Sequence, residues 1–149
     1  MIIEEILTPK RCHNKISVTS KTRLLSTISN IIATDNKSLD ADTVFCSFVE
    51  RERLGVTSLG KGVAIPHCKI AACTKITGSL ITLENPIDFG ASDGQPVDLI
   101  FALVAPNSND KQHDNTLAEI AKLLNDDDFC FMARQTFDNE DLYNVTIMT

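Results

Sequence analysis

Val97-Asp98-Leu99-Ile100-Phe101-Ala102-Leu103-Val104-Ala105 is a near-continuous apolar run interrupted by a single charge. A half-buried strand alternates apolar and polar residues, whereas a run without alternation is the pattern of a strand covered on both faces. Two-sided cover needs helices above and below a sheet, and the flanking sequence supplies them. Ahead of the run, Ser20 can cap a helix over residues 21–33, where Leu24, Leu25, Ile28, Ile31 and Ile32 make a stripe at helical spacing. A second helix is expected over 41–53, carrying Val44, Phe45, Phe48 and Val49, with Gly55 to stop it. Asp35-Asn36-Lys37-Ser38 reads as the loop between them, and the stretch through Ile16 and Val18 as extended and irregular. Residues 76–83 read as another strand, followed by a turn at Asn85-Pro86. After Pro106 the sequence predicts a polar turn and a helix near 111–124. Two shorter helices follow over 126–134 and 138–145, each with acids at its start, where the helix dipole favours them. The expectation is an α/β fold with a mainly buried sheet; strand order is not legible in this pattern.

The 149 residues suit one domain spanning 1–149. A chain of this size buries roughly 68–70% of its unfolded surface, enough for a core that needs no disulfides. Composition is ordinary for a soluble globular protein, with 43% hydrophobic and 23% charged residues. Fourteen basic against 20 acidic side chains leave a net charge of −6, which offers no positive field for nucleic acid or an anionic membrane. With 5% aromatics and no Trp, a base-stacking platform is not expected either. No stretch approaches the ~18 apolar residues of a membrane span, so no membrane insertion is expected. The start, Met1-Ile2-Ile3-Glu4-Glu5-Ile6, has acids where an export signal needs bases. Five scattered cysteines without a CxxC pair fit reduced thiols, and together these features predict a cytoplasmic protein.

The residues able to carry chemistry are few. His67 follows Gly60-Lys61-Gly62-Val63-Ala64-Ile65-Pro66, so a rigid residue precedes it and glycines open the loop before it. A histidine held there could be a nucleophile, a general base or a ligand, or simply a loop side chain making one hydrogen bond. His113 shares a helix face with Leu117, Ala121 and Leu124, which turns it inward beside a helix N-terminus; a satisfied core histidine fits the same position. His13 lies in an early polar stretch and reads as a surface residue. Arg51, within Glu50-Arg51-Glu52-Arg53, is either a solvated helix end or a guanidinium for bidentate phosphate contact. Three rival sites do not hold up. A Cys68–His67 pair fails because adjacent side chains of an extended segment face opposite ways. A zinc site from His67, Cys68, Cys73 and His113 has no recognised ligand spacing, so no metal is expected. Gly55-x4-Gly60-Lys61 has Gly62 where a Walker loop needs Ser or Thr, and no strand precedes it.

Taken together, the motifs resemble a known family. Arg51-Glu52-Arg53-Leu54-Gly55-Val56-Thr57-Ser58-Leu59-Gly60-Lys61-Gly62-Val63-Ala64-Ile65-Pro66-His67 is similar to the active-site signature of the fructose/mannitol-type (type-2) IIA components of the bacterial phosphotransferase system. Asn85-Pro86-Ile87-Asp88-Phe89, Gln95-Pro96-Val97-Asp98-Leu99-Ile100-Phe101-Ala102-Leu103, His113-x3-Leu117-Ala118-x-Ile120-Ala121 and Asp141-Leu142-Tyr143 extend the likeness over residues 21–143. Within the family the resemblance is strongest to its nitrogen-regulatory branch, on Gln95-Pro96-Val97-Asp98-Leu99 and the Glu84-x-Pro86-Ile87 turn.

The resemblance implies an α/β sandwich with a mixed central sheet and helices on both faces. It implies that His67 is phosphorylated on Nε2 by a phosphohistidine carrier of the HPr or NPr kind, itself charged by enzyme I and phosphoenolpyruvate, without cofactor or metal. Arg51 and His113 are then expected beside His67, with Thr57, Ser58, Gly60 and Gly62 as a phosphate-cradling loop. It implies a phosphotransferase component acting as a relay, whose charge state regulates target proteins; potassium-transport or sensor proteins are the family's associations. Two other functions fit the same motifs: a sugar-specific IIA passing phosphate to a separate IIB protein, and a binding module without phosphate. The family usually has Gly where this chain has Ser58 and Cys68, so both side chains are expected to bear on partner docking.

Overall fold

The computed structural model describes residues 3–108 and 111–149; Met1, Ile2 and part of the polar turn expected after Pro106 lie outside the described residues. Its strands are β1 (Cys12–Ile16), β2 (Ser58–Gly60), β3 (Val63–Ala64), β4 (His67–Ile70), β5 (Thr77–Ile87) and β6 (Val97–Pro106). Its helices are α1 (Lys21–Asp35), α2 (Ala41–Leu54), α3 (Gln112–Leu124), α4 (Asp127–Arg134) and α5 (Asn139–Ile147). The α/β expectation holds: one mixed sheet runs in the order β1-β5-β6-β3-β2, with β4 also paired to β6.

The apolar run becomes the strand on which the others are hung. β5 pairs with it antiparallel, while β3 and β4 pair parallel to it, Val63 opposite Leu99 and His67 opposite Leu103. Its side chains alternate between two cores, as a pleated strand requires. Ile100, Ala102 and Val104 join Leu24, Ile28, Ile32, Val44 and Phe48 of α1 and α2. Leu99, Phe101, Leu103 and Ala105 join Ile120, Leu124, Phe129, Ala133 and Leu142 of α3, α4 and α5. The missing polar alternation in the sequence is the record of these two covers.

The helix starts follow cap chemistry. Ser20 accepts from the Arg23 N–H, Asp40 from Thr43, Asp126 from Asp128 and Phe129, and Asp138 from Asp141. Two expectations are corrected. The N-terminal stretch is not irregular throughout: β1 pairs parallel to β5, and within it His13 is half-buried, its Nε2 3.2 Å from the Lys10 carbonyl. Nor does the chain turn at Asn85-Pro86. β5 continues to Ile87, and the irregularity takes the form of a register shift between Thr82 and Ile87 while residues 84–86 stay exposed. Proline without an N–H is tolerated at such an unpaired strand position, so the dipeptide bends the ladder without ending it.

Phe101 is fully buried between β6 and the α3–α5 layer, whereas Leu54 at the end of α2 is 85% exposed. Phe101→Ala is expected to cost about 3–5 kcal/mol and Leu54→Ala under about 0.5 kcal/mol, read from urea unfolding of both variants.

Candidate functional site

A break in one sheet edge builds the site. β3 and β4 lie in line along the same side of β6, separated by Ile65 and Pro66. Proline cannot donate to a ladder, so the edge is interrupted there. The Pro66 carbonyl still accepts from the Leu103 N–H at 2.9 Å, and the Ile65 N–H crosses to the Thr57 carbonyl at 3.0 Å. The Ile65 carbonyl is left to accept from the first side chain of β4: His67 Nδ1 lies 2.7 Å from it. A carbonyl only accepts, so Nδ1 carries the proton and Nε2 carries the lone pair. The ring makes no other hydrogen bond among the described residues.

Around this ring is a cleft of about 450 Å³, lined by His67, Arg51, Thr57, Ser58, Leu117 and Asp114 among others. Arg51 comes from the last turn of α2, its guanidinium steadied by an Nη1–H bond to the Gly55 carbonyl at 3.0 Å. His113 comes from the first turn of α3, is 7% exposed, and has its ring centre 5.8 Å from that of His67. Its Nδ1 is buried and has no hydrogen-bond partner among the described residues. His67 is thus flanked by Arg51, which lines the cleft with it from the end of one helix, and by His113, whose ring stands beside its own from the start of another without lining the cleft.

The electrostatics favour neutral rings. Burial pulls His67 below its ordinary value of 6.5; the Ile65 carbonyl works against this, Arg51 adds to it, and Glu52 opposes it. Burial likewise lowers His113, with His67 and Lys69 pushing the same way and Asp114 the other. A neutral imidazole with its proton fixed on Nδ1 is a nitrogen nucleophile at Nε2, and a nearby guanidinium can neutralise an anionic group arriving there.

The loop expectation is corrected in part. Thr57 and Ser58 line the cleft, but Gly60 and Gly62 do not. They form the turn of the β2–β3 hairpin, where φ is +84° at Gly60 and +80° at Gly62, backbone that side chains resist. The Gly60 N–H is taken by Ser58 Oγ and the Lys61 N–H by Asp93, so these amides face the hairpin's own partners. A Cβ on Gly62 would stand 2.9 Å from Arg134 Nη2, which shows what that glycine makes room for. Cys68 is also reassigned: it points into the α1–α2 core, opposite His67, and burial pushes its thiol up to about 12. Its side chain therefore has no place on a docking surface, and the adjacent-pair chemistry is excluded as strand geometry required. Ser58 does border the cleft, its Oγ–H donating to the Val63 carbonyl. No cluster of three or more metal-binding side chains occurs among the described residues. Sequence reasoning overlooked Glu52, whose carboxylate accepts from both the Thr57 N–H and the Thr57 hydroxyl. Its only signal was a place in an alternating charge run, which looks like a solvated surface.

Comparison with known proteins puts this chain among phosphotransferase-system components. The chain belongs to the family described as phosphoenolpyruvate-dependent sugar phosphotransferase system, EIIA 2, whose pattern matches residues 5–147. A relative from Pseudomonas aeruginosa, named nitrogen regulatory protein, is 38% identical over 145 residues, covering 97% of this chain and 94% of its own. The crystal structure of nitrogen regulatory protein IIA-Ntr from Neisseria meningitidis matches with a TM-score of 0.90 at 32% identity, covering all of both chains. The Escherichia coli mannitol IIA, solved in complex with its phosphorylated IIB, matches at TM-score 0.79 over 96% of this chain and 98% of its own. At 15% identity that likeness is one of fold.

Because both rings are lowered, each should titrate below 6.5. The unfolded chain then binds these protons more readily than the folded one, so their contribution to stability is present above about 6.5 and lost as pH falls through the folded values. Imidazole NMR resonances followed from pH 8 to 5 should give midpoints below 6.5 for both histidines; midpoints above it would contradict the burial argument.

Proposed function

We propose that this chain is a phosphoryl-relay regulator, in which His67 Nε2 accepts a phosphoryl group from a phosphohistidine on a carrier protein of the HPr or NPr kind. The observation that carries the reading is the His67 ring, tied through Nδ1 to the Ile65 carbonyl at 2.7 Å and lining the cleft beside Arg51. In the transfer the carrier's N–P bond breaks, the Nε2–P bond forms, and the proton stays on His67 Nδ1, hydrogen-bonded to the Ile65 carbonyl. Such a transition state is loose and anionic, so the protein's work is positioning and charge neutralisation. Arg51 supplies the positive charge. His113 donates to the phosphoryl oxygens or holds the His67 ring from its place in the first turn of α3, and Thr57 and Ser58 border the oxygens.

The names of the relatives favour regulation over sugar transport. On this reading the two charge states of His67 are read by different target proteins, as the word regulatory in those names implies, and the carrier is charged in turn by enzyme I and phosphoenolpyruvate. Potassium-transport and sensor proteins are the classes of target to try first.

Incubation with carrier, enzyme I and phosphoenolpyruvate should add one phosphoryl mass to the chain, and His67→Ala should abolish it. Arg51→Gln should slow uptake by about 10²-fold, in line with losing one donor to a developing charge. An unlabelled chain beside a fully charged carrier would remove the relay reading and leave a binding module. Onward transfer to a IIB protein would favour the sugar-specific alternative.

A further inference from the structure

From the His67 ring a series of contacts runs back through Thr57 to two residues outside the cleft lining, Glu52 and Lys21. Lys21 Nζ, at the start of α1, lies 2.8 Å from Glu52 Oε1 and 4.3 Å from the centre of the Phe89 ring. The Glu52 side chain is only 6% exposed, and it accepts from the Thr57 N–H at 3.2 Å and from the Thr57 hydroxyl. The Thr57 carbonyl accepts the Ile65 N–H at 3.0 Å, and the Ile65 carbonyl accepts the His67 Nδ1–H at 2.7 Å. Between His67 and Glu52 every donor points the same way, from the imidazole toward the carboxylate, and Lys21 donates to that carboxylate from the far side. A buried carboxylate with a cation at 2.8 Å and two donors from one residue is a rigid anchor, since each partner would be costly to leave unpaired.

We propose that Glu52 is a positioning residue for phosphoryl transfer: through Thr57 and Ile65 it fixes the carbonyl that holds the His67 ring in the Nδ1–H tautomer. The same carboxylate holds the chain just after Gly55, whose carbonyl steadies Arg51, so nucleophile and guanidinium are referred to one point. The proximity of Glu52 to His67 also raises the ring's basicity, opposing Arg51. Lys21 makes α1 part of the site although no atom of α1 lines the cleft. The role in transfer rests on the relay reading; the hold on the tautomer does not.

Two readouts separate them. Nitrogen NMR of the His67 imidazole reports the tautomer without any phosphoryl donor, and the rate of phosphoryl uptake from the charged carrier reports the reaction. In the native chain the Nδ1–H form should predominate. Glu52→Ala should give a mixed tautomer population and slow uptake by about tenfold or more, by analogy with the loss that follows removal of groups orienting metal-ligating histidines. Glu52→Gln, close in shape, keeps one acceptor for Thr57 and should show the same changes at smaller size; it decides the matter if the alanine variant does not fold. Thr57→Val, which loses the hydroxyl and keeps the backbone bonds, should fall between native and Glu52→Ala. A folded Glu52 variant with native tautomer population and uptake within twofold of native would overturn the proposal. A native chain that takes no phosphoryl group would defeat the relay reading, and the tautomer measurement would still judge the anchor.

Discussion

β6 must be buried on both faces, and the molecule is arranged around meeting that demand. Its alternate side chains enter two separate cores, one closed by α1 and α2 and the other by α3, α4 and α5. A strand in this position cannot be wet on either side without exposing Leu, Ile, Val or Phe, at roughly 1.5–3 kcal/mol for each large side chain. That burial, more than any polar contact, fixes where the other strands hang. β3 and β4 share one side of β6, and the short gap between them is where Ile65 turns its carbonyl toward His67. The polar site is thus a local defect in an apolar frame.

The cleft joins groups with opposing electrical effects in a small volume. Burial and Arg51 depress the basicity of His67, while the Ile65 carbonyl and Glu52 support it. A nucleophilic nitrogen needs both: too little basicity weakens attack, and too much leaves the ring protonated and inert. His113 is held down by burial and by its neighbour ring, so the two imidazoles can stand 5.8 Å apart without mutual repulsion.

Much of this was legible in the residues, and the failures have physical causes. Helix stripes such as Leu24, Ile28 and Ile32 and caps such as Ser20 are local signals, and the elements they predict are present. β1 was missed because Cys12-His13-Asn14-Lys15-Ile16 has no clean alternation; its place is set by parallel pairing with distant β5. Asn85-Pro86 carries turn chemistry, yet pairing on both sides of it carries the strand through. The convergence of Arg51, His67 and His113 was readable from family likeness, because spacing alone left each with an ordinary structural explanation. Gly60 and Gly62 misled for the reason glycines often do: a positive φ in a hairpin and a phosphate loop ask for the same residue. Glu52 was invisible because a buried ion pair and a solvated charge run look identical in one dimension.

The site draws its parts from both sides of the sheet. Arg51 rides on α2, whose Val44 and Phe48 are seated in one core; His113 rides on α3, whose Ile120 and Leu124 are seated in the other; His67 sits on the strand between. The spacing across the cleft therefore works as a caliper on the two half-cores. A substitution in either core bears on the spacing of the cleft walls even where it touches none of the cleft's own residues. The cores can drift in composition independently, but only along routes that keep the jaws at the same gap.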